Sequence, residues 1–323
     1  MQTRKLGNSD LMITPVGFGA WAIGGGGWAF AWGAQEESDS IAAIHRALEL
    51  GVNWIDTAAV YGLGHSEQMV AKALKQWKGQ RPYVFTKCTR RWDDKGAVIS
   101  VHSAASIKQE CEDSLKRLET DVIDLYQLHW PPEDNGPAVE ESWQAMVDLQ
   151  KAGKVRWIGV SNYSAEQMDR CAKIAPVTSD QPPYSMLRRK IEASVAPYCK
   201  DHNVGLIVYS PMLSGMLTGG MTRERALNLP ADDWRRNKPE FSEPKLSQNL
   251  ELVERLRAIG ERYGRSPGEI AIAWTLHNPA VTGAIVGSRS AKQAEGVMKA
   301  GELKLTGQDL AQIEGKAAAM AVR

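Results

Sequence analysis

Short apolar runs alternate with longer amphipathic segments along most of the chain. Eight runs rich in Val, Ile, Trp and Tyr read VGFGAW (16–21), NWIDTA (53–58), YVFTKC (83–88), VIDLYQLHW (122–130), WIGVSN (157–162), VTSDQ (177–181), GLIVYSPM (205–212) and GAIVGS (283–288). Short apolar runs of this kind are typical of strands that are covered on both faces of a sheet. The pattern therefore predicts eight strands of a parallel sheet.

Helical spacing appears between the strands. The first intervening segment repeats apolar residues at Ile41, Ile44, Ala47 and Leu48. Ser38 or Asp39 can cap its start and Gly51 can end it. Similar segments lie at 65–77, 106–118 and 139–152. Eight strand–helix units without a break favour one α/β domain over residues 1–323, closed into a (β/α)8 TIM barrel, with a doubly wound open sheet as the alternative.

Three segments do not belong to the alternating strand–helix units. The turn cluster at residues 7–10 lies between two short apolar pieces and predicts an N-terminal β-hairpin. Residues 213–246, after the seventh strand, are rich in Arg, Pro, Asp and Gly and too long for a passive connection, so they are a candidate lid. A helical pattern at 250–262 then precedes the seventh barrel helix at about 267–277, which indicates an extra helix.

Polar side chains follow the predicted strands at the end where a parallel barrel carries its active site. These residues are Asp56, Lys87, His129, Ser161, Asn162, Gln181, Tyr209, Ser210, Gly287, Ser288 and Arg289. Tyr61 lies in the glycine-flanked loop just after Asp56. An acid, a base and a histidine at one mouth indicate a functional site, whereas contact with solvent alone would explain any one of them.

Four of these side chains make chemical sense together. A neighbouring ammonium, Lys87, would lower the pKa of the Tyr61 phenol from its ordinary value of about 10. Asp56 on the adjacent strand would supply the counter-charge that Lys87 needs. His129 would hold a substrate oxygen or tune Tyr61. The set predicts proton transfer to a carbonyl oxygen.

Composition and motifs exclude several other classes of protein. The 39 basic and 38 acidic residues give a net charge of +1 without a run of like charges, which argues against a nucleic-acid partner. The apolar stretches are far shorter than the roughly 20 residues of a membrane span, and the first ten residues lack the apolar segment of a signal peptide, so we expect a cytoplasmic protein. Four dispersed cysteines predict reduced thiols, and the absence of an HExxH motif, a nucleophile elbow or a carboxylate cluster predicts no metal site.

Two glycine motifs suggest phosphate binding but lack the required context. Residues 17–22 nearly spell GxGxxA, with Asp39 at a suitable distance for a Rossmann fingerprint. That fingerprint needs a helix to begin inside the motif, whereas a glycine-rich stretch follows here and Asp39 opens a helix. The run at 24–27 is not followed by Lys-Ser or Lys-Thr, so a flexible loop at the barrel mouth is the simpler interpretation.

Seven longer motifs carry a family resemblance. They are GFGAW (17–21), NWIDTAAVYGLGHSE (53–67), TKC (86–88), DLYQLHW (124–130), GKVRWIGVSNYS (153–164), YSPMLSGMLTG (209–219) and GSRSAKQ (287–293). The chain resembles the aldo-keto reductase superfamily along nearly its whole length, and most resembles the bacterial branch that includes inositol-operon reductases and potassium-channel β subunits. The resemblance implies a barrel that binds a nicotinamide cofactor without a Rossmann domain. It also implies that Tyr61 is the proton donor, with Asp56, Lys87 and His129 completing a tetrad.

The same resemblance implies a set of cofactor contacts. Around the nicotinamide these are Trp21, Asp56, Ser161, Asn162, Gln181 and Tyr209; along the pyrophosphate Ser210, Pro211, Leu213, Gly215 and Leu217; and at the adenosine Gly287, Ser288, Arg289 and Gln293. The lid, residues 213–246, would fold over the pyrophosphate. Many relatives contact adenine through an acidic residue and an Asn where this chain has Gly296 and Val297.

The expected activity is the reversible, NADPH-dependent reduction of a small-molecule aldehyde or ketone to an alcohol. Ser288, Arg289 and the start of a helix at Lys292 would recognise the 2′-phosphate of NADPH (NADP+), and residues 287–293 contain no acid to pair with a free ribose. Arg289 could instead cap a surface helix or stack on adenine. Tryptophans in the mouth loops, Trp28, Trp32, Trp92 and Trp130 with Trp234, predict a pocket for an apolar or aryl carbonyl. The alternative function is a cofactor-binding redox-sensing or regulatory subunit with little turnover; the oligomeric state is left open.

Overall fold

A computed structural model describes residues 1–133, 135–230 and 233–321, with side chains as far as residue 315. Eight parallel strands form a closed barrel in which each strand pairs with the next along the chain and the last pairs with the first. The strands are β1 (Val16–Gly19), β2 (Trp54–Asp56), β3 (Tyr83–Cys88), β4 (Ile123–Leu128), β5 (Val155–Ser161), β6 (Ser179–Gln181), β7 (Gly205–Tyr209) and β8 (Val281–Gly287). The predicted (β/α)8 barrel is confirmed; each of the eight apolar runs overlaps one strand, and β5 and β8 begin two residues before their runs.

Helices lie between the strands and pack around the barrel. They are α1 (Glu37–Glu49), α2 (His65–Gln76), α3 (Ala104–Leu118), α4 (Ala138–Lys151), α5 (Ala165–Ala172), α6 (Val195–Asp201), α7 (Arg223–Leu227), α8 (Lys245–Tyr263), α9 (Pro267–His277), α10 (Ala291–Glu295) and α11 (Gly307–Ala321). The cap predicted for α1 is wrong by two or three residues, since Glu36 is its N-cap and makes no side-chain capping bond. Among the described residues, no helix combines the length and apolarity that crossing a membrane requires.

The predicted N-terminal hairpin pairs Arg4–Lys5 with Met12–Ile13. Its side chains Leu6, Leu11 and Ile13 are fully buried in one cluster with inward-facing barrel residues such as Trp54 and Phe85. The hairpin therefore closes the amino-terminal end of the barrel. Because that end is plugged by apolar side chains, polar chemistry is confined to the opposite end.

Alternation along β3 and β4 decides which side chains reach that end. Phe85 faces the apolar barrel interior, so Lys87, two residues later, faces inward one layer higher. Cys88 points outward and lies against Met146 of α4, as expected for a core cysteine. In β4, Leu125 faces inward with Phe85, which brings Gln127 into the layer of Lys87.

The lid, residues 213–246, is more ordered than its composition suggests, although its residues 231 and 232 lie outside the described part. It contains α7 and the short helical turns Met216–Thr218, Trp234–Asn237 and Pro239–Phe241. The extra helix predicted after it is α8, which begins at Lys245 and not at 250.

Candidate active site

A cavity of about 810 Å³ opens at the carboxyl-terminal end of the barrel. Most residues singled out from the sequence line it: Trp21, Trp28, Trp32, Asp56, Tyr61, His129, Trp130, Ser161, Asn162, Gln181, Tyr209, Ser210, Pro211, Gly215, Gly287, Ser288, Arg289 and Gln293. The cavity thus runs from the ends of the early strands to the segment that follows β8.

A buried ion pair forms the floor of one end of this cavity. The Nζ atom of Lys87 lies 2.5 Å from Oδ1 of Asp56 and 2.8 Å from the carbonyl oxygen of Thr57. Its side chain has no exposed surface, and that of Asp56 is 3% exposed. Lys87 also donates to the Tyr61 hydroxyl oxygen over 3.4 Å. Asp56, Lys87 and Tyr61 are therefore brought into direct contact.

The second oxygen of Asp56 is held by two amide side chains. Gln181 donates to Oδ2 over 2.8 Å and Gln127 donates to it over 3.2 Å. Gln127 was missed in the sequence, where it stands inside the apolar run of β4. Its position two residues after the inward-facing Leu125 is the signal that could have identified it. Both carboxylate oxygens are thus satisfied without water.

The Tyr61 loop is pressed against the first loop of the barrel. Gly62 follows Tyr61 and has a φ of +63°. The backbone of Gly24 lies so close to the Gly62 α-carbon that a Cβ atom at this position would collide with it. On the other side of the loop, the Ser66 hydroxyl donates to the carbonyl oxygen of Ala20 over 2.9 Å. These contacts fix the phenol over Lys87.

The expectation that Lys87 lowers the pKa of Tyr61 is wrong for this structure. Burial and the Asp56 carboxylate raise the pKa of Tyr61 well above its ordinary value. Burial also lowers the pKa of Lys87, while Asp56 opposes that effect. Because the Lys87 charge is matched by Asp56, it does not offset the cost of burying a phenolate. Tyr61 is therefore held protonated at neutral pH.

His129 completes the group from the end of β4. Its ring lies edge-on to the Tyr61 ring, with centroids 5.7 Å apart. Burial and the charges of Lys87 and Arg90 lower its pKa well below the usual 6.5, so the imidazole is neutral at pH 7. Asn162 donates to the His129 carbonyl oxygen over 3.0 Å, which ties β4 to β5 at this level.

A polar network lines the wall opposite Tyr61. The Tyr209 hydroxyl donates to Oδ1 of Asn162 over 2.8 Å, and the Ser161 hydroxyl donates to the Gln181 carbonyl oxygen over 2.7 Å. Asn162 adopts a left-handed φ of +62°, which turns its side chain between its neighbours. The network leaves the ring of Tyr209 as a flat surface on the cavity wall.

The far end of the cavity offers hydrogen-bonding groups in the segment after β8. The Ser288 hydroxyl is buried and has no partner among the described residues. The Arg289 guanidinium donates to the Gln35 side chain over 2.7 Å and to the carbonyl oxygen of Trp32 over 2.8 Å. The predicted helix behind them, α10, has only five residues, so its N-terminus adds little to an anion site.

The lid crosses the cavity and meets the first barrel loop. Trp234 packs against Trp21 and Trp32, with ring centroids 5.5 Å and 5.9 Å away. The Arg235 guanidinium lies 4.7 Å from the centre of the Trp32 ring and forms an ion pair of 2.6 Å with Asp233. This aromatic and cationic contact joins residues 213–246 to the loop after β1.

Five of the side chains proposed from the sequence for catalysis, cofactor or substrate do not line the cavity: Lys87, which is buried against Asp56, Trp234 of the lid, Leu213, Leu217 and Trp92. Leu213 and Leu217 are buried, and their N–H groups donate to the carbonyl oxygens of Ser210 and Met212, so neither is free to donate to a ligand. Trp92 packs under Arg117, whose guanidinium lies 5.9 Å from its ring. Trp92 was misplaced because it belongs to a small hairpin, Arg90–Trp92 with Val98–Ser100, that the sequence patterns did not reveal.

The cavity fits a long ligand with one flat end and one polar end. Its polar groups at the barrel axis include a neutral phenol beside a charge-balanced Lys–Asp pair, and its far end has a buried hydroxyl without a partner. This arrangement can donate a proton to an oxygen atom held near Tyr61 and His129. Its lining includes both Tyr209 and Ser288, and its volume of about 810 Å³ lies in the range of small-molecule and cofactor sites.

Comparisons with known proteins agree with this geometry. The family model described as "Aldo/keto reductase family" matches residues 15–318. Aldo-keto reductase YhdN of Bacillus subtilis (strain 168) is 40% identical over 297 residues, which cover 91% of this chain and 87% of that protein. The NADH-specific methylglyoxal reductase of Escherichia coli (strain K12) is 31% identical over 322 residues, 96% of each chain. The structure of glycerol dehydrogenase AKR11B4 from Gluconobacter oxydans superposes with a TM-score of 0.89 at 36% identity, covering 99% of this chain and 96% of that one. This chain therefore belongs to the aldo/keto reductase family of oxidoreductases.

Proposed function

We propose that this protein reduces aldehyde or ketone carbonyls to alcohols with NADPH, and that Tyr61 protonates the carbonyl oxygen. The observation that carries the proposal is the contact between the Tyr61 hydroxyl and the fully buried Lys87–Asp56 pair at the floor of the cavity. The relatives named as a methylglyoxal reductase and a glycerol dehydrogenase act on a carbonyl and an alcohol, which supports the same reaction type here.

The nicotinamide cofactor, when bound, supplies or accepts the hydride. Tyr209 would hold its ring, and Ser161, Asn162 and Gln181 its carboxamide, because these side chains line the wall beside Tyr61. The buried Ser288 hydroxyl, which makes no hydrogen bond within the described ranges, supports the placement of the adenosine end. The residues present therefore fit the cofactor.

Each member of the tetrad has a distinct part in the proton transfer. Tyr61 is protonated at neutral pH and gives its proton to the carbonyl oxygen as negative charge develops there. Lys87 then lies within 3.4 Å of the phenolate oxygen and stabilises it. Asp56 fixes the position of Lys87, and neutral His129 is close enough to orient the substrate oxygen. In the oxidation of an alcohol the same proton returns to Tyr61.

The preference for NADPH rests on the segment after β8. The Ser288 hydroxyl has no partner in the part of the chain that the structure describes, Arg289 lines the cavity, and no acidic residue occurs between 287 and 293. A guanidinium and a hydroxyl suit a phosphate, whereas a carboxylate would suit a ribose hydroxyl. The E. coli relative is named NADH-specific, so cofactor choice does not follow from family membership and needs its own test.

A titration of both cofactors tests this preference. Replacing Arg289 with Ala removes its bonds to Gln35 and Trp32 as well as any bond to a 2′-phosphate. Damage to the loop would weaken NADPH and NADH equally, whereas a lost phosphate contact weakens NADPH alone, by roughly 10- to 100-fold. Lys299→Ala, which removes a positive charge from an exposed position that does not line the cavity, is the control. Equal losses for the two cofactors would assign Arg289 to another contact.

A panel of aldehydes, ketones and alcohols, followed by cofactor absorbance, tests the reaction itself. Turnover of carbonyls with NADPH is the expected result. A protein that binds the cofactor but reduces none of the panel would instead fit the redox-sensing or regulatory subunit considered from the sequence.

A further inference from the structure

Arg90 lies at the carbonyl end of the cavity, in the small hairpin after β3. It lines the cavity together with His129, Val98 and Trp130, and its charge is near enough to help lower the pKa of His129. Its guanidinium lies 5.6 Å from the centre of the Trp130 ring. Arg90 is therefore near His129, the group proposed to orient the substrate oxygen.

The guanidinium of Arg90 has no acceptor among the described residues. The other three arginines of the cavity are all engaged: Arg225 donates to Gly220, Arg235 pairs with Asp233, and Arg289 donates to Gln35. Burial lowers the pKa of Arg90, and Glu133 opposes that effect without forming an ion pair with it. A half-buried guanidinium without an acceptor destabilises the folded state, because burial disfavours its charged form. The five donors of this group remain available to a ligand.

The residues around Arg90 indicate what the remainder of a bound ligand would look like. Trp28, Phe30, Trp130 and Val98 line the cavity and present apolar surface. Trp28 packs against both Tyr61 and Phe30, and Trp130 lies beside Arg90. Phe30 and Trp130 are also 47% and 40% exposed, so this surface forms the rim through which a substrate enters. A ligand that satisfies both features has a flat or apolar body and a carboxylate that the guanidinium can bind through two parallel hydrogen bonds.

We propose that Arg90 is a specificity-determining residue that selects carbonyl substrates carrying a carboxylate on an apolar or aryl body. This inference rests on the proposed carbonyl reductase activity, since it names the substrate class of the same site. Arg90 binds the carboxylate while the aldehyde or ketone oxygen faces Tyr61 and His129.

Matched substrates test the inference. The carboxylate 4-formylbenzoate and its methyl ester differ in charge but present the same aldehyde on the same ring. We expect wild-type kcat/KM to favour the carboxylate by about 10-fold, mainly through KM, because one charge-assisted contact at a partly exposed site is lost in the ester. Arg90→Gln should bring the ratio close to one, and Arg90→Lys should restore part of it.

Arg91→Gln is the matched control. It removes the same charge from the next residue, which is exposed and does not line the cavity. We expect this variant to keep the wild-type ratio. An Arg90→Gln ratio equal to that of wild type, or an equal fall in Arg91→Gln, would overturn the inference.

A binding measurement separates this inference from the proposed reaction. Benzoate, which carries the carboxylate but no carbonyl to reduce, should quench tryptophan fluorescence of the cofactor-loaded protein, with about 10-fold weaker affinity in Arg90→Gln. Arg90-dependent benzoate binding without turnover of either aldehyde would uphold the carboxylate site and refute the proposed function. Turnover of both aldehydes with benzoate affinity unchanged in Arg90→Gln would refute the carboxylate site alone.

Discussion

The buried Lys87–Asp56 pair should dominate the stability of the site. Lys87→Met removes three contacts of Nζ, to Asp56, Thr57 and Tyr61. It leaves the Asp56 carboxylate, 3% exposed, with two amide donors and no counter-charge. Breaking a buried ion pair from one side costs about 3–5 kcal/mol, and the two remaining amides place this case near the lower limit. We expect the free energy of unfolding to fall by about 3 kcal/mol.

Urea denaturation followed by fluorescence measures this change, and three further variants serve as comparisons: Asp56→Asn, the double variant and Lys75→Met. Adding Asp56→Asn to Lys87→Met removes the unpaired buried charge. The double variant should therefore lose less free energy of unfolding than the two single variants together, by at least about 1 kcal/mol. Lys75→Met, which breaks an exposed pair with Glu119, should cost less than about 1 kcal/mol. Additive losses within about 0.5 kcal/mol would refute the view that the two charges depend on each other.

Three other outcomes follow from the structure. Trp234→Ala removes two aromatic contacts of the lid, worth about 0.5–1.5 kcal/mol each. Cofactor release, measured by stopped-flow fluorescence, should therefore become about 5- to 100-fold faster, and an unchanged rate would show that the lid does not retain the cofactor. Asp180 is fully buried and its carboxyl group makes no hydrogen bond among the described residues, and burial raises its pKa to about 8. Wild-type stability should therefore fall by about 1 kcal/mol per pH unit between about pH 5 and 8, and Asp180→Asn should reduce this slope in urea titrations. The rate of carbonyl reduction should change little from about pH 6 to 8, since Tyr61 stays protonated and His129 stays neutral. The rate of alcohol oxidation should rise with pH because this direction needs the phenolate. A reduction rate that falls across this range would contradict the pKa directions.

The sign for Asp180 follows from its two states. In the unfolded chain its pKa is the ordinary value near 3.9, so above that pH the unfolded state loses the proton that the folded state retains. The folded state therefore gains its advantage at low pH and loses it as pH rises toward the folded pKa of about 8. The backbone N–H groups of Tyr163 and Gln181 are near enough to lower this pKa, but the carboxyl group makes no hydrogen bond among the described residues.

The sequence patterns predicted the barrel because buried parallel strands have a strong signature. Each of the eight runs became a strand, and Asp56, Lys87 and His129 could be placed at the correct end because a parallel barrel has one functional face. Tyr61 followed from its loop beside Asp56. The roles of these residues and of the cofactor contacts remain predictions.

Other features depend on three-dimensional packing that a single sequence does not express. The small hairpin after β3 has a mixed pattern, so Arg90 went unnoticed and Trp92 was placed in the pocket. Gln127 was hidden inside an apolar run whose inward face is fixed only by its neighbours. The pKa of Tyr61 depends on how deeply it and the Lys87–Asp56 pair are buried, and burial reversed the predicted sign.

The most direct test of the proposed function is the rate of carbonyl reduction by Tyr61→Phe with saturating NADPH at neutral pH. The variant keeps the ring that contacts His129 and Trp21 but loses the proton, so we predict wild-type cofactor affinity and a kcat lower by roughly 10²- to 10⁴-fold. A folded Tyr61→Phe protein that reduces the same carbonyl at close to the wild-type rate would contradict the assignment of Tyr61 as the proton donor.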